Sequence, residues 1–295
     1  MPSFNLHKSK NVYTITTISD ELWDEIKKVL PKEKSFKTVG RPIVPYRKVF
    51  DGILYVLRTG CQWKMLPKEH GSGSTCHRRF QEWNDMDVFK NIWIKLLKIY
   101  DEMIGINWTW QSIDSISIKS PLGGTLTGSN PTDRSKLGTK RHILTDKKGI
   151  PLSAIISSAN THDIKLVKEV VNDAVISRPS SKYRNRKRRI RLQQHLCLDK
   201  GYNSEHEEQE LNKRGYVLHI PIKKKKKGTN NEKDITQQIP SIKKYSPKRW
   251  VVERTNSWHN RFRKLFTRYE KKWENYLGLV QFSCCIIIHR KIILG

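Results

Sequence analysis

Apolar residues in the first third of the chain recur every three to four positions, the spacing of amphipathic helices. Leu22, Ile26 and Val29 follow Ser19, a good N-cap, with Asp20 and Glu21 near the positive end of the helix dipole and Pro31 closing the segment. Val49, Ile53, Val56 and Leu57 place a second helix over Tyr46–Thr59, with Gly60 just past its end. Gly71, Ser72, Gly73 and Ser74 break the pattern. A short helix over 75–83 then carries Arg78 and Arg79 on one side. Asp85 or Asp87 is placed to cap a longer helix through Phe89, Ile92, Trp93, Leu96, Leu97 and Tyr100. Tight glycine-containing connections and a basic penultimate helix fit a helix-turn-helix DNA reader, and a bundle with a solvated basic face fits as well.

From Trp108 the pattern changes. Residues 112–118 alternate polar and β-branched side chains, and 141–145 and 152–157 follow as strands joined by the turn Asp146, Lys147, Lys148, Gly149. Between the first two lies a Gly/Ser/Thr/Pro loop over 123–138. Helical periodicity over 163–175, a buried strand at 194–198, a helix at 204–214, a strand at 217–222 and a helix at 249–266 complete the order. Three strands able to form a meander, followed by strand–helix alternation, predict a mixed α/β sheet covered by helices. This is the order of a ribonuclease H-like core. The expected organisation is an all-helical DNA-binding region over 1–108 and a mixed-sheet catalytic region over 109–295, with a basic loop at 223–248.

The chain's 295 residues are enough for about two domains of the usual ~150 residues. Its charge narrows the partner: 57 Lys and Arg against 28 Asp and Glu give +29, a self-repulsion that calls for a polyanion. The surplus is uneven, with 18 basic and 12 acidic side chains over 1–108 but 39 and 16 over 109–295. Basic runs at 184–191 and 223–227, and the series Lys243, Lys244, Lys248, Arg249, Arg254, Arg261, Arg263, Lys264 and Arg268, are suited to tracking a phosphate backbone. Trp250, Trp258 and Tyr269, interleaved with them, read as core aromatics. The composition, 36% hydrophobic with nine Trp, excludes a disordered basic tail. Five cysteines, odd in number and with no C-x-x-C pair, argue against a disulfide framework and a zinc ribbon; His70, Cys76 and His77 match no zinc spacing. No apolar leader opens the chain, and the apolar run 277–288, interrupted by Gln281, is shorter than the ~20 residues that span a bilayer. The expected setting is the cytosol, facing nucleic acid and not a membrane.

Against this cationic background three acidic residues stand in apolar company. Asp114 lies inside the first strand, Asp199 ends the fourth, and Glu253 lies on the last helix within Trp250, Val251, Val252. If the first and fourth strands are neighbours, both Asp side chains reach one place, and a helix across it adds Glu253. Carboxylates so gathered repel one another unless cations lie between them, and all-oxygen ligation favours Mg²⁺ or Mn²⁺. Two such ions assist in-line displacement at a phosphodiester. Each residue also has a plain structural reading: Asp114 bonded to a loop, Asp199 capping a turn, Glu253 paired with Arg249 one turn away. Gly123-x4-Gly128 is followed by Ser129 and Asn130, so there is no P-loop and no nucleotide triphosphate is implied. Asp133, Asp146 and Asp163 read as turn or capping residues, and His142 and His162 as structural.

The segment 60–67, GCQWKMLP, resembles the N-terminal motif of transposases of insertion sequence family five. Similar to that family too are Gly123-Gly124 with 131–134, 138–142, 159–163, 198–202 and 249–255, in family order from about residue 20 to 290. The resemblance implies a DDE recombinase related to the Harbinger transposases, with Asp114, Asp199 and Glu253 as its acidic trio. It implies cut-and-paste movement of an insertion sequence, with water hydrolysing the strand at the element's end and the freed 3′-OH attacking target DNA. Two divalent ions, double-stranded DNA with terminal inverted repeats, and a homodimer on DNA are expected with it. DNA contacts are expected from Arg78, Arg79, Lys140, Arg141, Lys200, Lys223, Lys224, Lys225, Lys248, Arg249, Arg254, Arg261 and Lys264. One departure stands out: Asn260 occupies a position where the broader group often carries Lys, and Tyr245 is one residue too far upstream of Arg249. Arg261 or Lys264 would take over contacts made by that Lys. A nuclease without strand joining, and a DNA-binding protein that has lost catalysis, are the rival readings.

Overall fold

The computed structural model describes residues 16–33, 43–178, 193–202, 204–220 and 249–294, the Lys200 side chain excepted. Helices α1 (Asp20–Ile26), α2 (Tyr46–Thr59), α3 (Gly73–Asp85) and α4 (Val88–Met103) form a helical layer. Ser19 caps α1 as expected, its hydroxyl accepting from the Leu22 N–H. Gly60 ends α2 in the left-handed conformation at φ 75°. The third helix begins at Gly73, two residues before the expected start; a Cβ there would lie 1.8 Å from the Trp63 carbonyl oxygen, so only glycine fits that first position. Asp87 precedes α4 in a left-handed conformation, and its side chain makes no cap.

The sheet is built from β1 (Trp110–Lys119), β2 (Gly128–Ser129), β3 (Leu137–Asp146), β4 (Pro151–Ser158), β5 (Gln194–Cys197) and β6 (Tyr216–His219). β3 pairs antiparallel with β1 and with β4, while β5 runs parallel to β1 and to β6. The spatial order β4-β3-β1-β5-β6 is the mixed, ribonuclease H-like sheet expected from the sequence; the two-residue β2, unanticipated inside its glycine-rich loop, adds to the start of β3. α5 (Val167–Asn172), preceded by a 3₁₀ turn, and α6 (Glu205–Lys213) follow β4 and β5.

Two C-terminal helices differ from expectation. α7 (Trp250–Asn260) stops six residues short of 266, where Phe262 leaves helical geometry and buries its ring beneath the Arg58 guanidinium. α8 (Trp273–Leu294) is 22 residues long, so length no longer argues against a membrane span; its burial does, because 72% of its apolar window is packed inside the protein. It lies along α4, and Phe282 meets the rings of Phe50 and Phe89 at 5.8 and 5.5 Å. The chain thus returns across residue 108 to complete the helical layer. All five cysteines are free; Cys76 donates to the His70 carbonyl and His77 stacks on Trp63.

Arg268, fully buried, ties this return to the sheet. Its guanidinium donates to the carbonyls of Thr125 (2.6 Å), Leu126 (3.3 Å), Glu270 (2.9 Å) and Lys271 (3.1 Å), and to Thr139 Oγ1 (3.2 Å). It is therefore a structural clamp and not a phosphate contact. Replacing Arg268 by Met strands those acceptors, and urea unfolding should show a loss of roughly 3 kcal/mol. Arg268→Lys should not restore it, since one ammonium cannot replace a planar fork.

Candidate active site

β-pairing brings the two aspartates together. Ser112 on β1 is in register with Cys197 on β5, and each aspartate follows its register residue by two positions. Both side chains line one cleft beside the end of β5, so this pairing brings Asp114 and Asp199 together. Asp114 is the more enclosed. Burial raises its carboxyl to about 6, against the lowering effects of Arg249, the Ser115 N–H and the Asn256 amide.

The third carboxylate comes from α7, which lies across β1 and β3 with Val251, Val252, Thr255, Asn256 and His259 inward. Glu253 points away from that core and bonds Arg249 (2.7 Å), as its plain structural reading foresaw. The same guanidinium reaches Asp199 at 3.3 Å with its other terminal nitrogen. Asn256, which no motif had singled out, donates to Asp114 Oδ2 at 3.1 Å. The first two turns of α7 thus touch all three acidic residues through Arg249 and Asn256. Among the described residues no group of three His, Cys, Asp or Glu side chains is placed to share an ion, and Arg249 lies between two of the carboxylates.

A cleft of about 300 Å³ opens beside the aspartates, lined by Asp114, Asp199, Ser115, Ser117, Thr132, Asn160, His162 and the Lys140–Asp163 ion pair. Glu253 is outside that lining and is tied to it through Arg249. Lys140 also donates to the Thr161 carbonyl at 2.8 Å, so its charge is held in place at the cleft wall. His142 meets Ser157 Oγ at 2.9 Å, and both are buried within β3 and β4, in keeping with a structural role. Asp146 accepts from the N–H groups of Lys148 and Ile150 and closes its turn.

A family model described as "Transposase DDE domain" matches residues 111–288, and one described as "Putative transposase of IS4/5 family" matches residues 18–93. The chain belongs to the DDE transposases. It is similar to a Burkholderia cepacia protein named "Putative transposase for insertion sequence element IS402", at 32% identity over 165 residues, 56% of this chain and 69% of the relative. A second relative from that organism, "Insertion element IS402 uncharacterized 16.2 kDa protein", is 37% identical over 118 residues, 39% of this chain and 80% of its own length. The protein is accordingly an insertion-sequence transposase, an enzyme of DNA cleavage and transposition. DDE transposase domains work with divalent metal ions, and Asp114 and Asp199, two carboxylates on one cleft, suit a hard cation.

The cations expected at DNA fall into five groups in this transposase. Arg249 and Lys140 border the acidic site. Arg254 and Arg261 flank the outer side of α7: Arg254 lies 4.9 Å over the Trp250 ring and 5.0 Å over Trp258. Arg261, exposed, shares a second groove of about 270 Å³ with Trp258, Phe262 and Lys291. Two expectations are corrected. Arg141 has no exposure and its guanidinium lies 3.5 Å from Asn256 and Asn260, beneath α7; Lys264 is 5% exposed and paired with Glu270 at 3.1 Å. Both are inward because their backbone positions face packed helices, so neither meets DNA. On α3, Arg78 and Arg79 both hold Glu82; Arg78 is exposed, whereas Arg79 lies against the Tyr46 ring. Lys223, Lys224, Lys225, Lys248, the loop 223–248, the run 184–191 and the Lys200 side chain lie outside the described residues. The aromatic expectation is also corrected: Trp250 and Tyr269 are 55% and 51% exposed among these cations.

Burial beside this site sets an acid limit on the fold. His142 is held down to about 4 by desolvation, against an ordinary value of 6.5. As pH falls below 6.5 the unfolded chain takes up a proton that the folded chain refuses, so stability is lost down to about 4 and unchanged above 6.5. At pH 5 that loss is about 2 kcal/mol. Denaturant midpoints at pH 7 and pH 5 should show His142→Asn, which keeps a partner for Ser157, losing correspondingly less on acidification.

Proposed function

We propose that this transposase moves its insertion sequence by cut and paste, with Asp114, Asp199 and Glu253 as the residues that hold two Mg²⁺ or Mn²⁺ ions. The observation that carries the reading is the convergence of β1, the end of β5 and α7 on one acidic seam, joined through Arg249 and Asn256. Divalent ions at such a seam stabilise the attacking and leaving oxygens of a phosphodiester. The residues of this chain supply the rest. Asn256 orients the Asp114 carboxylate, the sheet fixes Asp199 beside it, and Lys140, held by Asp163, offers positive charge to a phosphate in the cleft. Hydrolysis by water at the element's end leaves a 3′-OH, which then attacks target DNA in the same seam.

Double-stranded DNA is the partner that the charge supports, and work on the nucleoid inside the cell is the setting that goes with it. Terminal inverted repeats are held by the helical layer, through Arg78, and by Arg254 and Arg261 on the outer side of α7. Joining two ends calls for two protomers, so the working species on DNA is a homodimer.

The test uses a duplex carrying the element's own end and a supercoiled target. Asp199→Asn and Glu253→Gln should bind that duplex as the parent does and cut it at least 10³-fold more slowly, roughly the loss seen when one essential charge-stabilising group is removed. Cleavage without a joined product would identify a nuclease instead, and binding with no cleavage by the parent would identify a protein that has lost catalysis. Affinity should fall steeply and linearly in log–log form with salt, and Arg261→Ala should reduce that slope by about 1, the share of one phosphate contact.

A further inference from the structure

We infer that Arg249 is the built-in counter-ion of the acidic seam in the metal-free transposase, and that divalent ions enter by expelling it from Asp199 and Glu253. The inference rests on the reading of the acidic trio as the ion-holding residues and adds to it a competitor within the chain.

The geometry points to a surrogate cation. Arg249 sends its two terminal nitrogens to different carboxylates, at 3.3 Å to Asp199 and 2.7 Å to Glu253. Its charge also favours the ionised form of Asp114. One planar fork therefore acts on all three acidic groups, which a compact ammonium could not do. Helix capping does not explain its position. Arg249 is the N-cap residue of α7, makes no side-chain cap bond, and sets a positive charge at the end of the helix dipole that disfavours one. The arrangement is favourable because of the carboxylates beyond it.

It is also releasable. The Arg249 side chain is 36% exposed and its two partners 47% and 48%, so it can turn toward solvent without unpacking the core. Ion pairs of that exposure are weak enough for a divalent ion to displace. An expelled guanidinium remains at the rim of the Asp114–Asp199 cleft, where a phosphate oxygen is its natural next partner. Cation exchange of this kind keeps the seam from flying apart before metal and DNA arrive, at the expense of metal affinity.

The experiment is a Mn²⁺ titration of the full chain without DNA, followed by electron paramagnetic resonance of the free ion, with thermal unfolding alongside. Arg249→Met should bind Mn²⁺ roughly three- to tenfold more tightly than the parent, the factor expected for two half-exposed ion pairs no longer broken on loading. Its metal-free midpoint should drop and its Mn²⁺-induced rise should grow. Arg249→Lys, keeping the charge but reaching one carboxylate, should fall between. Equal or weaker Mn²⁺ binding by both variants overturns the inference, since a purely structural or DNA-contacting arginine predicts that result. The combined Asp199→Asn, Glu253→Gln variant separates the two levels: if it binds Mn²⁺ like the parent, the ion-holding reading itself is wrong; if it loses Mn²⁺ while Arg249→Met is unchanged, only the counter-ion role is wrong.

Discussion

Mutual repulsion among three carboxylates is the constraint around which this molecule is arranged. Two of them come together through the parallel pairing of β1 and β5. The third must be delivered by a helix far along the chain, so the anchoring of α7 decides whether a site exists. Its anchors are numerous and of different kinds. Thr255 Oγ1 donates to the Gly149 carbonyl at 2.7 Å and Arg254 to the Lys148 carbonyl at 2.6 Å, fastening α7 to the β3–β4 turn. Beneath it, Arg141 approaches Asn256 and Asn260, and His259 meets Ser283 of α8 at 2.7 Å. None of these contacts involves a reacting group, yet each sets where Glu253 stands.

The last of them couples the site to the helical layer. α8 carries Ser283 on the side of α7, and Phe282 on the side of Phe50 and Phe89. Phe50 in turn stacks on Trp83 of α3 with centroids 4.5 Å apart. A displacement of α3, the element that carries Arg78 and Arg79, is therefore felt by α7 through closely packed rings. Packing of this kind links the helical layer at one end of the chain to the placement of Glu253 at the other.

Much of this was legible before coordinates, and the reasons are specific. Asp114 and Asp199 stood out because a charged residue inside or at the end of a β-branched run is costly unless it has a task. Gly60 and Ser19 were legible because end-of-helix chemistry is local. The fates of the cations were not. In a chain with 57 basic residues, Arg141, Lys264 and Arg268 look like the arginines and lysines around them until tertiary packing turns them inward. Asn256 was invisible for a related reason: an amide on a helix has no signature of its own until a carboxylate is found 3.1 Å away. The length of α8 is not legible from its apolar run, because the helix continues through polar residues on both sides of it, Glu274 and Asn275 before and His289, Arg290 and Lys291 after.

The Asn260 departure acquires a physical sense in this setting. Arg141 is a fully buried cation, and among the described residues no carboxylate pairs with it. Asn256 and Asn260, one helical turn apart on α7, present amide oxygens to the same guanidinium at 3.5 Å. Turning the Asn256 oxygen toward Arg141 leaves its NH₂ aimed at Asp114, so the buried arginine selects the amide orientation that the site uses. A Lys at 260 would bring a second cation against Arg141 in a region that cannot hydrate either, and would have to swing out to solvent. An asparagine there instead shares the arginine's donors with Asn256 and keeps α7 seated. The residue that departs from the group's pattern thus supports the helix that carries Glu253, and the positive charge the pattern would have placed at 260 stands next door on the exposed Arg261.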